Sequence, residues 1–371
     1  MAESPDRLTT MQWLAQRLEL GRSGSTPNLL AMEGLRGLAV FLVFLVHCMT
    51  LTSPWWAGHA GLSALASELH ALGNVGVDLF FVLSGFLIYG ALIAKAQPFG
   101  RYFSRRVRRI YPVFLVMLTI YLALSLLFPA ESKLPAGAGA AALYVLQNLL
   151  LLPGMLPIAP IISVAWSLSY EFFFYLVVPV LIAAFGLRGR TPAFRIWTLI
   201  VFGLCGAVYL AVQGGHVRLL MFLAGMLVYE LHHERVRLPG AGALGALGLC
   251  LGLGIALLPL SGPLSQTLKY LGLGLAFALL CLDAFAPTWL SRALSWTPLR
   301  WLGNISYSYY LMHGLTLKFA VLVLGKVLPL SAGGVGLFLA LPCLLFVATL
   351  PASLILFLAV ERPFSLAPKA T

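Results

Sequence analysis

Apolar runs of about twenty residues follow one another along this chain, each long enough to cross a hydrocarbon core of about 30 Å as a helix. Hydrophobic residues make up 60% of the 371 and charged residues only 10%, against about 25% charged in soluble domains. The pattern predicts an all-α fold, a polytopic membrane bundle of about ten transmembrane helices with no soluble domain appended. The spans fall near 29–50, 74–94, 110–128, 163–185, 196–212, 218–231, 241–260, 267–285, 301–324 and 335–360. One apolar stretch, 141–152, is too short to cross and runs into the proline-broken PGMLPIAP.

Basic residues decide the fate of that stretch. If it stays on one side, as a re-entrant or outer-surface helix, the cytoplasmic side collects 19 of the 24 Lys and Arg. If it crosses, every later loop inverts, and nine of those residues, from Arg188 onward, move to the wrong side. The bias therefore predicts a non-crossing helix and two cytoplasmic termini. The net charge of +12, suggestive of nucleic acid in a soluble protein, is topological here, so no nucleic-acid partner is expected.

The chain divides into a polar tail 1–28, a transmembrane domain 29–364 and a short tail 365–371. The first tail carries acids and lacks a short apolar region with a cleavage site, so it is not read as a removable signal. Within it Leu8, Met11, Leu14, Ala15 and Leu18 recur at helical spacing and predict an amphipathic helix lying on the membrane, with an unstructured tail as the alternative. Cys48, Cys205, Cys250, Cys281 and Cys343 show no CxxC or ligand spacing and read as small core residues; no metal is expected.

Polar side chains inside the apolar spans are the functional candidates, because each is costly in hydrocarbon. Arg36 and His47 stand eleven positions apart in LRGLAVFLVFLVH, about three turns, which puts both on one helix face roughly 16 Å apart. Arg106 and Arg109 follow at i, i+3 in the basic segment RYFSRRVRRIYP, at the inner face. His47, Asp78 and Glu171 all fall toward the outer half, so three titratable groups from three helices are expected on one level. Ordinary alternatives exist: Asp78 can cap a helix start, Tyr175 can neutralise Glu171 by a hydrogen bond, and the arginines can serve topology alone.

Ser306, Tyr309, Tyr310 and His313 fall at i, i+3, i+4 and i+7 and form a polar stripe that faces the bundle, touching a ligand or bonding across helices. Lys318 lies deep and is expected to pair with Asp283 or a ligand. His232, His233 and Glu234 read as a solvated loop, and His59, His70 and His216 have no evident partner. The small residues of 239–279 read as close helix packing.

Seven segments stand in a recognisable order: EGLRGLAVFLVFLVH, GVDLFFVLSGFLI, RRVRRIYP, WSLSYEFFFYLVVP, RLLMFLAGM, LGNISYSYYLMH and VERPF. From Glu33 to Phe364 the chain resembles the acyltransferase-3 family of bacterial integral-membrane O-acyltransferases. Two departures are visible. Glu33 stands where an aspartate is usual, and Phe172 and Phe173 replace the Glu and Gln that usually follow Glu171. The hydrolase-like domain that some members carry at the C-terminus is not expected.

The resemblance implies transfer of an acyl group, acetyl or a small group such as succinyl, from acyl-coenzyme A to a hydroxyl. The acceptor would be a carbohydrate of an exported or surface glycan, or its lipid-linked precursor. Acyl-CoA is then a donor substrate, with no cofactor permanently bound; glycan and membrane lipid are the other partners, and the location is a bacterial inner (plasma) membrane. The physical reading agrees, since guanidinium forks suit phosphate oxygens. Arg106 and Arg109 are assigned to the coenzyme A phosphates, with Arg36 guarding the route inward.

His47 is the expected general base, and either Asp78 or Glu171 holds its useful tautomer; a transiently acylated His47 is the variant mechanism. Ser167, Asn148, Tyr175 or a backbone N–H would donate to the oxyanion. Trp166, Ser167, Tyr175, Ser306, Tyr309 and His313 are expected to line the substrates. A proton-coupled transporter or flippase also uses buried His, Asp and Glu, but would show repeated halves with matched broken helices, whereas this chain breaks only at PGMLPIAP.

Overall fold

The computed structural model describes residues 10–20 and 28–366. Its helices are α1 (Thr10–Leu18), α2 (Asn28–Thr52), α3 (Ala60–Ala94), α4 (Phe99–Leu127), α5 (Ala138–Leu149), α6 (Trp166–Ala184), α7 (Pro192–Gln213), α8 (Leu219–His233), α9 (Ala243–Ala256), α10 (Pro263–Ala284), α11 (Trp289–Leu294), α12 (Thr297–Asn304), α13 (Ser306–Val327) and α14 (Val335–Leu356), the last running on into a π-helical stretch, Phe357–Leu366. Among the described residues, eight helices are long and apolar enough to cross a membrane, and α8 and α9 are shorter apolar helices, so each expected span is a helix. The twelve residues of α5 rise about 18 Å, short of a bilayer core.

Three boundaries differ from the expectation. α3 begins at Ala60 rather than near 74, because Ser63, Glu68 and His70 dilute the hydropathy of this stretch while nothing in it breaks a helix. α4 begins at Phe99 rather than near 110, since arginine is a good helix former and the basic cluster simply continues the helix. The ninth span starts at Ser306, after the separate α12. Local chemistry sets other ends: α6 stops at Gly186 in the left-handed region (φ 58°), and α7 opens with Thr191 accepting from the Phe194 N–H ahead of Pro192.

The helix α3 is central, packed against α2, α6 and α8. It meets α8 at two glycines: a Cβ on Gly85 would lie 2.2 Å from the Phe222 carbonyl oxygen, and one on Gly225 2.0 Å from that of Val82. Backbones therefore touch there with no room for a side chain. The glycine-rich helix α9 does as expected, setting Gly248 and Gly252 against α10.

Helix α1 docks on the protein. Leu18 is buried, its carbonyl accepts from Asn304 Nδ2 (3.1 Å), and Glu19 pairs with Arg300 (3.1 Å), which also holds Glu33 (3.1 Å). Leu8 and the side chain of Met11 lie outside the described residues. Lys318 corrects the expectation: it pairs with Glu131, just beyond α4, at 2.6 Å, and both are exposed. That lysine holds the Glu131 carboxyl below its ordinary range through their hydrogen bond. Asp283 instead accepts from the Gly245 N–H (2.7 Å). His232 and His233 end α8 rather than a loop, packed on Phe86 and Phe285 and on Tyr229 respectively. Two cysteines, Cys48 and Cys281, are buried, but Cys205, Cys250 and Cys343 are exposed.

Candidate active site

At about 100° per residue, Val77, Phe80, Phe81, Ser84 and Leu87 of α3 fall within about 120° of one another, and Asp78 stands about 60° beyond Phe81, at the margin of that face. This face walls a cavity of about 310 Å³, closed by Arg36 of α2, Arg106 and Arg109 of α4, Ser167, Glu171 and Tyr175 of α6, Ser306, Tyr307 and Tyr310 of α13, and Leu366. Along α3 it runs from Ile88 to Val77, a rise of roughly 16 Å.

Successive turns of α6 carry its polar wall. Tyr175, whose ring lies under the Arg106 guanidinium, marks the arginine end (5.4 Å). One turn on, Glu171 accepts from Tyr175 (2.6 Å) and from Ser84 (3.3 Å), the tyrosine bond that its spacing suggested. One further turn on, Ser167 bonds the Tyr310 hydroxyl (2.7 Å), and the Val164 carbonyl accepts from this pair. The cavity is thus cationic at one end, with hydroxyls and a carboxylate along the α6 wall and apolar side chains of α3 along the other.

The three arginines are held differently. Arg36 donates through Nε and Nη2 to Ser306 Oγ (3.3 and 3.0 Å). Arg109 is ion-paired with the fully buried Glu361 (2.6 Å), which the π-helical stretch turns inward, and Glu361 also accepts from the Ser308 N–H and hydroxyl (3.0 and 2.6 Å). Arg106 stands between the rings of Tyr102 and Tyr175 and forms no ion pair among the described residues.

His47 does not line this cavity. Its ring meets that of His313, with centroids 5.0 Å apart, and His313 stands 6.1 Å from Tyr310, which is on the cavity wall. These contacts fix α2 and α13 side by side, Arg36 beside Ser306 and His47 beside His313. The expected polar stripe is entirely buried: Ser306, Tyr309, Tyr310 and His313 all face inward. Of the four, Ser306 and Tyr310 reach the cavity; Tyr309 instead bonds Thr349 of α14 (2.7 Å).

Asp78, buried, faces Arg218 at 3.4 Å, and Arg218 also donates to Asn74 (2.8 Å) and lies over the Trp166 ring (5.0 Å). The three expected titratable groups therefore take three separate sets of partners: Asp78, at the margin of the cavity-lining face of α3 and about 60° beyond Phe81, turns to Arg218 instead of the cavity. Trp166 belongs with Arg218 rather than the cavity lining. Asn148 is a structural link between the Tyr144 carbonyl and the Ile161 N–H (3.0 and 2.8 Å), which uses it before any oxyanion could. His216 and His59 have partners after all, Tyr170 (2.7 Å) and the Gly333 carbonyl (2.9 Å). Residues that sequence reasoning passed over include Ser84 and Glu361; both lie inside quoted motifs, but only the fold reveals what they hold.

Comparison with known proteins adds an independent line. The model of the acyltransferase domain family, the third of that name, matches residues 29–358. The peptidoglycan O-acetyltransferase OatA of Listeria monocytogenes is 27% identical over 319 residues, 76% of this chain and 48% of that protein, so the chain matches about half of that relative's length. The exopolysaccharide production protein ExoZ of Rhizobium meliloti is 30% identical over 315 residues, 79% of this chain and 89% of that one. The acyltransferase MdmB of Streptomyces mycarofaciens is 30% identical over 176 residues, 46% of this chain and 43% of that one. No solved structure matches. With the family matched across the long apolar helices and the cavity between them, this integral membrane protein belongs to the acyltransferase-3 family.

Proposed function

We propose that the protein is an acyl-CoA-dependent O-acyltransferase of a bacterial inner membrane, moving an acetyl or other small acyl group to a hydroxyl of a glycan. The cavity carries this reading: arginines at one end suit the phosphates of coenzyme A, and a corridor, apolar along α3 and polar along α6, leads away from them for the acyl-bearing arm. Arg106 is the first phosphate ligand, because Glu361 already occupies Arg109. Arg36 flanks the corridor. A carbohydrate acceptor is inferred from the relatives, one named for peptidoglycan O-acetylation and another for exopolysaccharide production.

In this reading His47 takes the hydroxyl proton as the oxygen attacks the thioester carbonyl. The new C–O bond forms, the C–S bond breaks, and the proton passes to the departing thiolate. Tyr310 and His313 separate His47 from the cavity lining, so Tyr310 must part from Ser167 when both substrates are seated. The place of Glu171 on the cavity wall favours a second reading, in which that carboxylate is the base.

Reconstituted protein with labelled acetyl-CoA decides. His47→Ala is expected to lower turnover by roughly 10²–10⁴ while the protein stays inserted, with Glu171→Gln less affected. The reverse order would give the base to Glu171. Transport activity without thioester consumption would favour a proton-coupled transporter or flippase.

A further inference from the structure

His313 lies wholly within the bundle, with no exposed surface. Its Nδ1 stands 3.0 Å from the Tyr309 carbonyl oxygen. A carbonyl only accepts, so Nδ1 carries the hydrogen and Nε2 presents a bare lone pair. That nitrogen is buried and has no hydrogen-bond partner among the described residues. A buried lone pair of this kind costs free energy unless a donor reaches it.

Three rings surround it. Tyr309 is stacked on one face (5.5 Å, 4°), but its hydroxyl is engaged with Thr349. Tyr310 is 6.1 Å away, and its hydroxyl is engaged with Ser167 and Val164. His47 meets His313 edge-on at 5.0 Å and 61°, and no hydrogen bond occupies either of its ring nitrogens among the described residues. Of the three, only His47 has a hydrogen to offer.

We infer that His313 is the positioning residue for His47, in the place where a triad enzyme puts a carboxylate. A turn of the His47 ring about its Cβ–Cγ bond sends its N–H to His313 Nε2 and leaves the other nitrogen as a lone pair for the acceptor hydroxyl. The neutral His313 accepts a bond that strengthens as His47 gains its proton. Both carboxylates considered for this task have other work, Asp78 with Arg218 and Glu171 with Ser84 and Tyr175. The inference rests on the reading of His47 as the base.

Two substitutions of similar size separate positioning from packing. His313→Asn keeps an amide N–H for the Tyr309 carbonyl but has nothing at the ε position; His313→Gln carries its carbonyl oxygen to that position. The full chain in liposomes is assayed by thiol release from acetyl-CoA, with water as the accepting hydroxyl. The Asn variant should turn over roughly 10- to 100-fold more slowly with the KM for acetyl-CoA within about twofold, and Gln should recover to within about fivefold of the parent. Unchanged turnover in Asn, or equal loss in Asn and Gln, overturns the inference. Should Asn not insert, His313→Phe takes its place, and the same contrast with Gln is required. Activity lost in His47→Ala but kept in His313→Asn overturns this inference alone; no thiol release from the parent removes both readings.

Discussion

Arg106 and Arg109 lie one helical turn apart and meet opposite circumstances. Arg109 faces a carboxylate with no exposed surface, so Arg109→Ala would strand Glu361 as a buried, unpaired charge. A loss of about 3–5 kcal/mol is expected, read as a lower unfolding temperature in detergent. Arg106 has aromatic neighbours instead, so Arg106→Ala should cost only about 1 kcal/mol of stability and raise the KM for acetyl-CoA by roughly tenfold with little change in kcat. Equal stability losses in the two variants would contradict this division. The spacing of the two arginines is visible in the chain, but Glu361 is 252 positions away from Arg109, and no local pattern points to it. Asp78 shows the same limit: its burial follows from hydropathy, whereas its partner Arg218 depends on the rotation of α3 against α8 and α10.

At the scale of elements, glycines set how closely α3 and α8 approach. Gly225→Ala would drive a methyl into the Val82 carbonyl and should cost about 1–3 kcal/mol of stability. Gly206 of α7 is the control: a Cβ there meets nothing nearer than 4.0 Å, so Gly206→Ala should be neutral or stabilising by up to about 1 kcal/mol. Thermal unfolding of the two variants in one detergent checks the contrast. Each apolar helix was readable from hydropathy, because length and side-chain transfer energy speak plainly over twenty residues. The first part of α3 and the arginine turns of α4 were not, since polar residues hide a helix that its neighbours complete. Docking of α1 onto Asn304 and Arg300 was equally hidden, because amphipathic spacing names an apolar face without saying whether lipid or protein covers it.

For the whole molecule, charge bias predicts that the arginine end of the cavity faces the cytoplasm. A cysteine at Ala96, in the short link between α3 and α4, should react with a membrane-impermeant maleimide only from the inside, and one at Ala136, before α5, only from the outside. Labelling in the opposite sense would turn the cavity around and remove acyl-CoA from its reach. The cationic end and the corridor could be expected from the chain; that Tyr310 and His313 stand between the corridor and His47 could not, because ring contacts depend on how α2 and α13 lie against each other. The most direct test is an electron cryo-microscopy structure with coenzyme A bound. Phosphate density within hydrogen-bonding reach of Arg106, with the thiol end pointing along α6 toward Ser167 and Tyr310, is the predicted result. Coenzyme A bound away from Arg36, Arg106 and Arg109, or absent from the cavity at saturating concentration, would contradict it.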